Sequence, residues 1–391
     1  MKKNTFPIAI FMLYVLYYAG EAAYSSYVNL YLDSIGLSKA QIGLSITLAT
    51  LVALTFQSLW GLASDRARSK NVILMILFTG TSLTVLLYYT TTVYWQIAAI
   101  IILMSFFYFP IIPLQDNLSL ERIEGTGWDF GRVRLGGTLG YAVTALLVGI
   151  WIQNRYSNIF IMVSIIHVMC LITLQFIPRV AGHRHGKTTG KAPVRVIFRD
   201  RTLVGLMVFQ VFYTLGSSLY YSYYPIYFTT IGGNSTLLGI MFFVAAMTEL
   251  PFLFFANRLV SRFGIGKIIA LSGLSSGLRW LMLYLLHDPV WVIAACLLNV
   301  FGFVSISYCI VTYINEHVPK DLRATSQTVS SLLNLFFARI LFGYLGGLAS
   351  DLLGVNRIML LVSMMIFIVT TVFTIWLWKT KRLDKISPTL S

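Results

Sequence analysis

Twelve apolar runs of about twenty residues leave this chain few ways to fold. They lie at 6–32, 40–63, 72–90, 94–114, 133–153, 158–178, 203–230, 235–257, 268–286, 290–313, 325–349 and 357–378. A run of that length crosses the hydrocarbon core of a bilayer as a helix. Only helices and closed barrels satisfy their backbone polar groups without water. The runs therefore predict an all-α integral membrane protein with twelve transmembrane helices. Composition agrees, since apolar residues make up 57% and charged residues 11%, against about 25% charged in soluble domains. The first run follows Lys2 and Lys3. It is too long for a signal peptide and has no small-residue cleavage site, so it is expected to stay as a spanning helix.

The net charge of +15 would suit nucleic acid, but its distribution points elsewhere. With the N-terminus placed inside, 24 of the 29 Lys and Arg residues fall on inner segments. Lys39, Arg155 and Arg357 fall outside, and Arg279 and Arg339 lie within runs. So steep a bias predicts both termini in the cytoplasm, no nucleic-acid partner, and contact with anionic lipid headgroups. The cysteines Cys170, Cys296 and Cys309 sit inside apolar runs and read as buried small side chains. The five histidines form no catalytic or metal-binding constellation, so neither an enzyme nor a metal site is expected. His167 reads as a satisfied core histidine.

The chain also repeats itself. Without a gap, Tyr17, Gly20, Tyr24, Ser26, Tyr27, Tyr31, Ile35, Gly36 and Gly43 match Tyr213, Gly216, Tyr220, Ser222, Tyr223, Tyr227, Ile231, Gly232 and Gly239, an offset of 196. That is half the chain, the internal symmetry of a repeated transporter. The expected domains are a six-helix bundle at 1–178, a cytoplasmic linker at 179–202, and a pseudo-symmetric six-helix bundle with a short tail at 203–391.

After the second run stands GLASDRARSK, Gly61 to Lys70. It resembles the signature loop of the major facilitator superfamily in Gly61, Asp65, Arg66 and Lys70. Arg68 and Ser69 depart from it, and the second copy NRLVSRFGIGK has Ser261 in place of the acid. In Gly61 the side chain is small enough to admit a close helix approach. The stretch DFGRVRLGGTLGY resembles the fifth-helix segment of proton symporters related to lactose permease and to the nucleoside and phenylpropionate permeases. MTELPFLFF, SSGLRWLMLY and VPKDLRATSQT are similar to the same branch. The resemblance implies a major facilitator fold in which helices 1, 4, 7 and 10 line a central cavity. It also implies that Glu249 and Arg279 belong to a charged network linking protonation to substrate binding.

Four charged residues lie deep in the runs: Glu21, Glu249, Arg279 and Arg339. Each costs about 2.5–3.5 kcal/mol at a bilayer centre, so each is expected to face protein or a water-filled cavity. A carboxyl held there is suited to take up and release a proton. Glu21 is the first candidate for coupling, and Glu249, with Arg279 beside it, the second. Arg339 is a candidate for the planar recognition of a substrate carboxylate. Asp116, Asp129, Arg132 and Arg134, at the inner ends of helices 4 and 5, are expected to pair as a gate. Tyrosines spaced three, four and seven apart share a helical face, which makes Tyr24, Tyr27, Tyr220 and Tyr223 candidates for an aromatic, hydroxyl-bearing cavity lining.

These observations together predict a monomeric secondary active transporter of the bacterial cytoplasmic membrane. It would move a small organic solute of the sugar, nucleoside or aromatic-acid type by proton symport with alternating access. The proton would be the coupling ion, with no bound cofactor. A proton-coupled efflux antiporter is the alternative, and a non-transporting membrane sensor a remote one.

Overall fold

The computed structural model describes residues 7–123, 126, 128, 130–153, 155–180, 198–319 and 322–379. Twelve helical spans among them are long and apolar enough to cross a membrane. We label them α1 (Ile8–Ser34), α2 (Lys39–Arg66), α3 (Lys70–Tyr89), α4 (Tyr94–Ile123), α5 (Phe130–Ile152), α6 (Asn158–Gln175), α7 (Arg201–Thr230), α8 (Ser235–Phe263), α9 (Ile265–Leu285), α10 (Pro289–His317), α11 (Thr325–Leu353) and α12 (Val355–Lys379). The described residues contain no strand.

Local chemistry sets many of the ends. Ser38 opens α2 with a capping box, accepting from the Gln41 amide at 3.2 Å while its own amide donates to Gln41 Oε1 at 2.9 Å. Asp200 caps α7 by accepting from the amides of Thr202 and Leu203. Asp288 caps α10, with Pro289 in the first helical position, where its missing N–H costs nothing. After α1 the chain turns at Gly36 with φ +88°, and after α7 at the matched Gly232 with φ +91°. A left-handed backbone favours glycine, so the repeat places the same residue at the same turn.

The helix α4 runs past the apolar stretch ending at 114, because a helix needs no apolar residues once it leaves the lipid. Its extension carries Asp116, Asn117 and Glu121. Several spans are irregular: α1 breaks at Ser26 and Tyr27, and α3 ends in the 3₁₀ segment Val85–Tyr89. In α4 the helix breaks between Tyr108 and Ile111 at Pro110, whose ring cannot continue it. In α10 a 3₁₀ segment, Cys296–Phe301, precedes a break at Gly302. In α11 the turns Leu335–Leu341 are π-helical.

Contacts divide the chain into two compact units. The first takes Met1–Gly186 with Asn234–Phe243, and the second Lys187–Gly233 with Val244–Ser391. In the first unit α5 lies against α1 closely enough that a Cβ on Gly140 would stand 2.1 Å from the Val15 carbonyl oxygen. The expected close approach at Gly61 is not made: a Cβ there would meet nothing within 4 Å. The reason is position, since Gly61 faces open space on α2 while Gly136, Gly137 and Gly140 of α5 face α1. The Tyr27 hydroxyl donates to Ala145 O of α5 at 2.9 Å. In the second unit the matched Tyr223 hydroxyl donates to Gly343 O of α11 at 2.7 Å. The two units thus close the same helix pair with the same side chain.

Candidate functional site

The deepest polar cluster of the second unit is built on the irregular middle of α10. Asn299 is 4% exposed. Its amide nitrogen donates to Glu249 Oε1 on α8 at 2.9 Å and to the Ala245 carbonyl at 3.0 Å. Its carbonyl oxygen accepts from Arg279 Nη1 on α9. The guanidinium of Arg279 is itself buried, and its Cζ lies 4.5 Å from the centroid of the Tyr220 ring on α7. Asn299 therefore stands between acid and base, and Tyr220 covers the base with its π face. The 3₁₀ segment and Gly302 aim the amide inward: the Gly302 amide folds back to Asn299 O at 2.8 Å, and Ser305 Oγ donates to Gly302 O at 2.7 Å. Irregular backbone at mid-depth is tolerated where protein buries it or where it lines a cavity.

In the first unit the Tyr108 hydroxyl, at the break in α4, donates to Glu21 Oε2 on α1. Glu21 is half-buried and Tyr108 buried. Nearer the end of α4, Tyr14 donates to Asp116 Oδ1 at 2.6 Å. Arg134 on α5 reaches Asp116 Oδ2 at 3.8 Å and donates to the Tyr18 hydroxyl at 3.4 Å. Asp129 lies outside the described residues, and Arg132 is exposed at the start of α5. Among the described residues the gate candidates meet in one pair, Asp116 with Arg134, on a platform of two α1 tyrosines.

The remaining candidates fall as follows. Asp65 and Arg66 are exposed at the end of α2. In the same loop Lys70 is only 2% exposed and forms an ion pair with Glu121 at 2.6 Å, also donating to Asn117 at 2.5 Å. Arg339 is exposed on the π-helical turns of α11. The Tyr24 hydroxyl shares a hydrogen bond of 2.8 Å with that of Tyr88 on α3. Tyr27, Tyr220 and Tyr223 are fully buried. Tyr27 and Tyr223 use their hydroxyls on helix carbonyls, and Tyr220 lies 3.8 Å from Cys296 Sγ. Among the described residues no group of His, Cys, Asp and Glu is arranged to hold a metal ion.

Sequence reasoning missed Asn299 and Tyr108. The signal for Asn299 was a single amide in the apolar stretch CLLNVFGF, followed by a glycine. For Tyr108 it was the proline two residues on.

Comparison with known proteins agrees with this architecture. Residues 8–376 match the family described as MFS_1 like family. The chain is 28% identical to the maltose permease of Geobacillus stearothermophilus, over 88% of each protein. It is 24% identical to the putative nucleoside transporter YegT of Escherichia coli, covering 82% of this chain and 79% of that one. Among solved structures, the nucleoside transporter NupG superposes with a TM-score of 0.83 at 15% identity, covering 96% of this chain and 99% of that one.

Proposed function

Since the chain belongs to the MFS_1 like family and is a multi-pass membrane transporter of the major facilitator type, we propose that it carries a small sugar-like or nucleoside-like solute by proton symport. It does so as a monomer of the bacterial cytoplasmic membrane with both termini inside. The printed functions of the relatives, maltose and nucleoside transport, support the solute class. The Lys and Arg bias supports the orientation.

One observation carries the coupling: Glu249 and Arg279 communicate through Asn299. An ionised Glu249 accepts the Asn299 N–H, which leaves the Asn299 carbonyl turned to Arg279. A protonated Glu249 is a donor on one oxygen and a weaker acceptor on the other. The amide is then free to turn, and the link from α8 through α10 to α9 loosens. Protonation biases a conformational equilibrium only through a group whose surroundings differ between states, and a link of this kind can be made in one state and broken in another. This link supports taking Glu249 ahead of Glu21 as the coupling carboxyl. Asp116 with Arg134 latches the inner ends of α4 and α5 as the two units alternate in access.

The test is flux in proteoliposomes. After a binding screen with maltose, uridine and 3-phenylpropionate, the bound solute should accumulate against its gradient when the outside is made acidic. A protonophore should abolish the accumulation. Expulsion of the solute in exchange for entering protons would establish the antiporter instead, and binding without flux in either direction would establish a sensor.

A further inference from the structure

His167 on α6 takes no part in the coupling network described above. It is 0% exposed. Its Nδ1 lies 2.7 Å from the Val163 carbonyl; since a carbonyl only accepts, Nδ1 carries the proton and Nε2 presents a lone pair. That Nε2 is buried and has no hydrogen-bond partner among the described residues. Leaving such an acceptor unpaired costs about 1–3 kcal/mol, a cost that an apolar side chain of similar shape avoids.

The ring lies next to Tyr108, the donor to Glu21, and against α1 at Gly20. Its centroid is 6.1 Å from that of Tyr108, and its Cε1 lies 2.9 Å from where a Cβ on Gly20, the neighbour of Glu21, would stand. Tyr17 of α1 and Phe78 of α3 complete the cage, at 6.4 and 5.8 Å. The titratable groups whose rings face it are thus Tyr17 from α1 and Tyr108 from α4, with Glu21 beyond the Tyr108 hydroxyl and Cys170 one turn along α6 itself.

The internal repeat separates packing from function here. In the first unit a Cβ on Gly20 would meet Ile166 at 3.5 Å, and in the second a Cβ on the matched Gly216 would meet Val362 at 2.6 Å. Ile166 and Val362 are themselves 196 positions apart, so the contact of these helix pairs is common to both units. At the same offset Glu21, Tyr108 and His167 correspond to Ser217, Val304 and Ser363. The Ser363 hydroxyl is satisfied by Gly277 O at 2.8 Å. All three polar members of the cluster are therefore peculiar to the first unit, although the packing that holds them is not.

We infer that Glu21, Tyr108 and His167 form a two-position hydrogen-bond switch. With Glu21 ionised, the Tyr108 O–H points to the carboxylate. With Glu21 protonated or engaged by solute, the Tyr108 side chain shifts so that its hydroxyl donates to His167 Nε2. His167 is a positioning residue that gives Tyr108 its second resting place, and no covalent bond is made or broken within the switch. Its part in transport rests on the proton-coupled reading, but the switch itself does not.

A thermal-unfolding cycle on the purified full-length protein tests it without any solute. Glu21→Leu removes the first acceptor and His167→Phe the second. His167→Phe should lower the melting temperature by about 2–4 °C more in the Glu21→Leu background than in the wild type, the shift expected for losing one hydrogen bond. His167→Gln, which keeps an acceptor near Nε2, should erase most of that difference. Where Glu21→Leu does not fold, Glu21→Gln, a neutral and weaker acceptor, takes its place with the same signs. Equal shifts from His167→Phe in both backgrounds would overturn the switch and leave His167 a packing residue. In proteoliposomes His167→Phe should displace the pH profile of uptake while sparing solute exchange, with recovery in His167→Gln. A loss of uptake and exchange in equal proportion in both variants would overturn its part in transport.

Discussion

Glu249 and Arg279, the acid and base that consecutive helices bring together, do not join directly: Asn299 donates to Glu249 Oε1 at 2.9 Å and accepts from Arg279 Nη1. An amide serves a carboxylate and a guanidinium at once, since it carries donor and acceptor on the same plane. Asn299→Leu should therefore be more damaging than its size suggests. It leaves a carboxylate and a guanidinium without their shared partner, at a cost of about 2–4 kcal/mol. Thermal unfolding should show a fall of several degrees, and Asn299→Gln should recover less than half, because its longer side chain cannot meet both groups from the 3₁₀ segment.

Close packing of α5 on α1 gives a contrast within one protein. Gly140→Val should destabilise by about 1–3 kcal/mol or prevent folding, because its Cβ would stand 2.1 Å from the Val15 carbonyl, a backbone atom that cannot step aside. Gly61→Ala meets nothing within 4 Å and should leave the melting temperature within a degree of wild type. Yield and thermal unfolding in detergent distinguish the two.

Two ion pairs of the first unit should differ in the same way. Lys70 is 2% exposed in its pair with Glu121, whereas Arg134 is 46% exposed in its pair with Asp116. Lys70→Met takes the buried base out of the pair and should cost about 3 kcal/mol, with part of the loss recovered in Lys70→Met/Glu121→Leu. Arg134→Gln should cost less than about 1 kcal/mol in stability, as exposed pairs do. Its effect should instead appear in transport, if the pair acts as a latch. Unfolding and flux on the same preparations separate these outcomes.

What was legible in the sequence follows from what carries a strong signal. Apolar runs are read directly because lipid demands them, and the matched turns at Gly36 and Gly232 follow from a backbone few other residues adopt. Charges within the spans stand out because they are costly. Asn299 did not, since one neutral amide among apolar residues carries little cost by itself and shows its value only beside Glu249 and Arg279. Tyrosine spacing placed Tyr27 and Tyr223 on one face, but not against which neighbour, and both hydroxyls are spent on helix carbonyls. Lys70 reads in sequence as one more inner-loop base; its burial follows from the extension of α4 beyond the lipid, which apolarity does not report.

The proton-coupled reading stands or falls on Glu249→Gln, which keeps the hydrogen bond from Asn299 while removing titration. The decisive measurement is solute flux in proteoliposomes, taken as accumulation under an acid-outside gradient and as exchange at equal pH. The account predicts that Glu249→Gln loses at least about tenfold in accumulation, one proton-coupling step's worth of about 1.4 kcal/mol or more, while exchange stays within about threefold of wild type. Undiminished proton-driven accumulation in Glu249→Gln would contradict it.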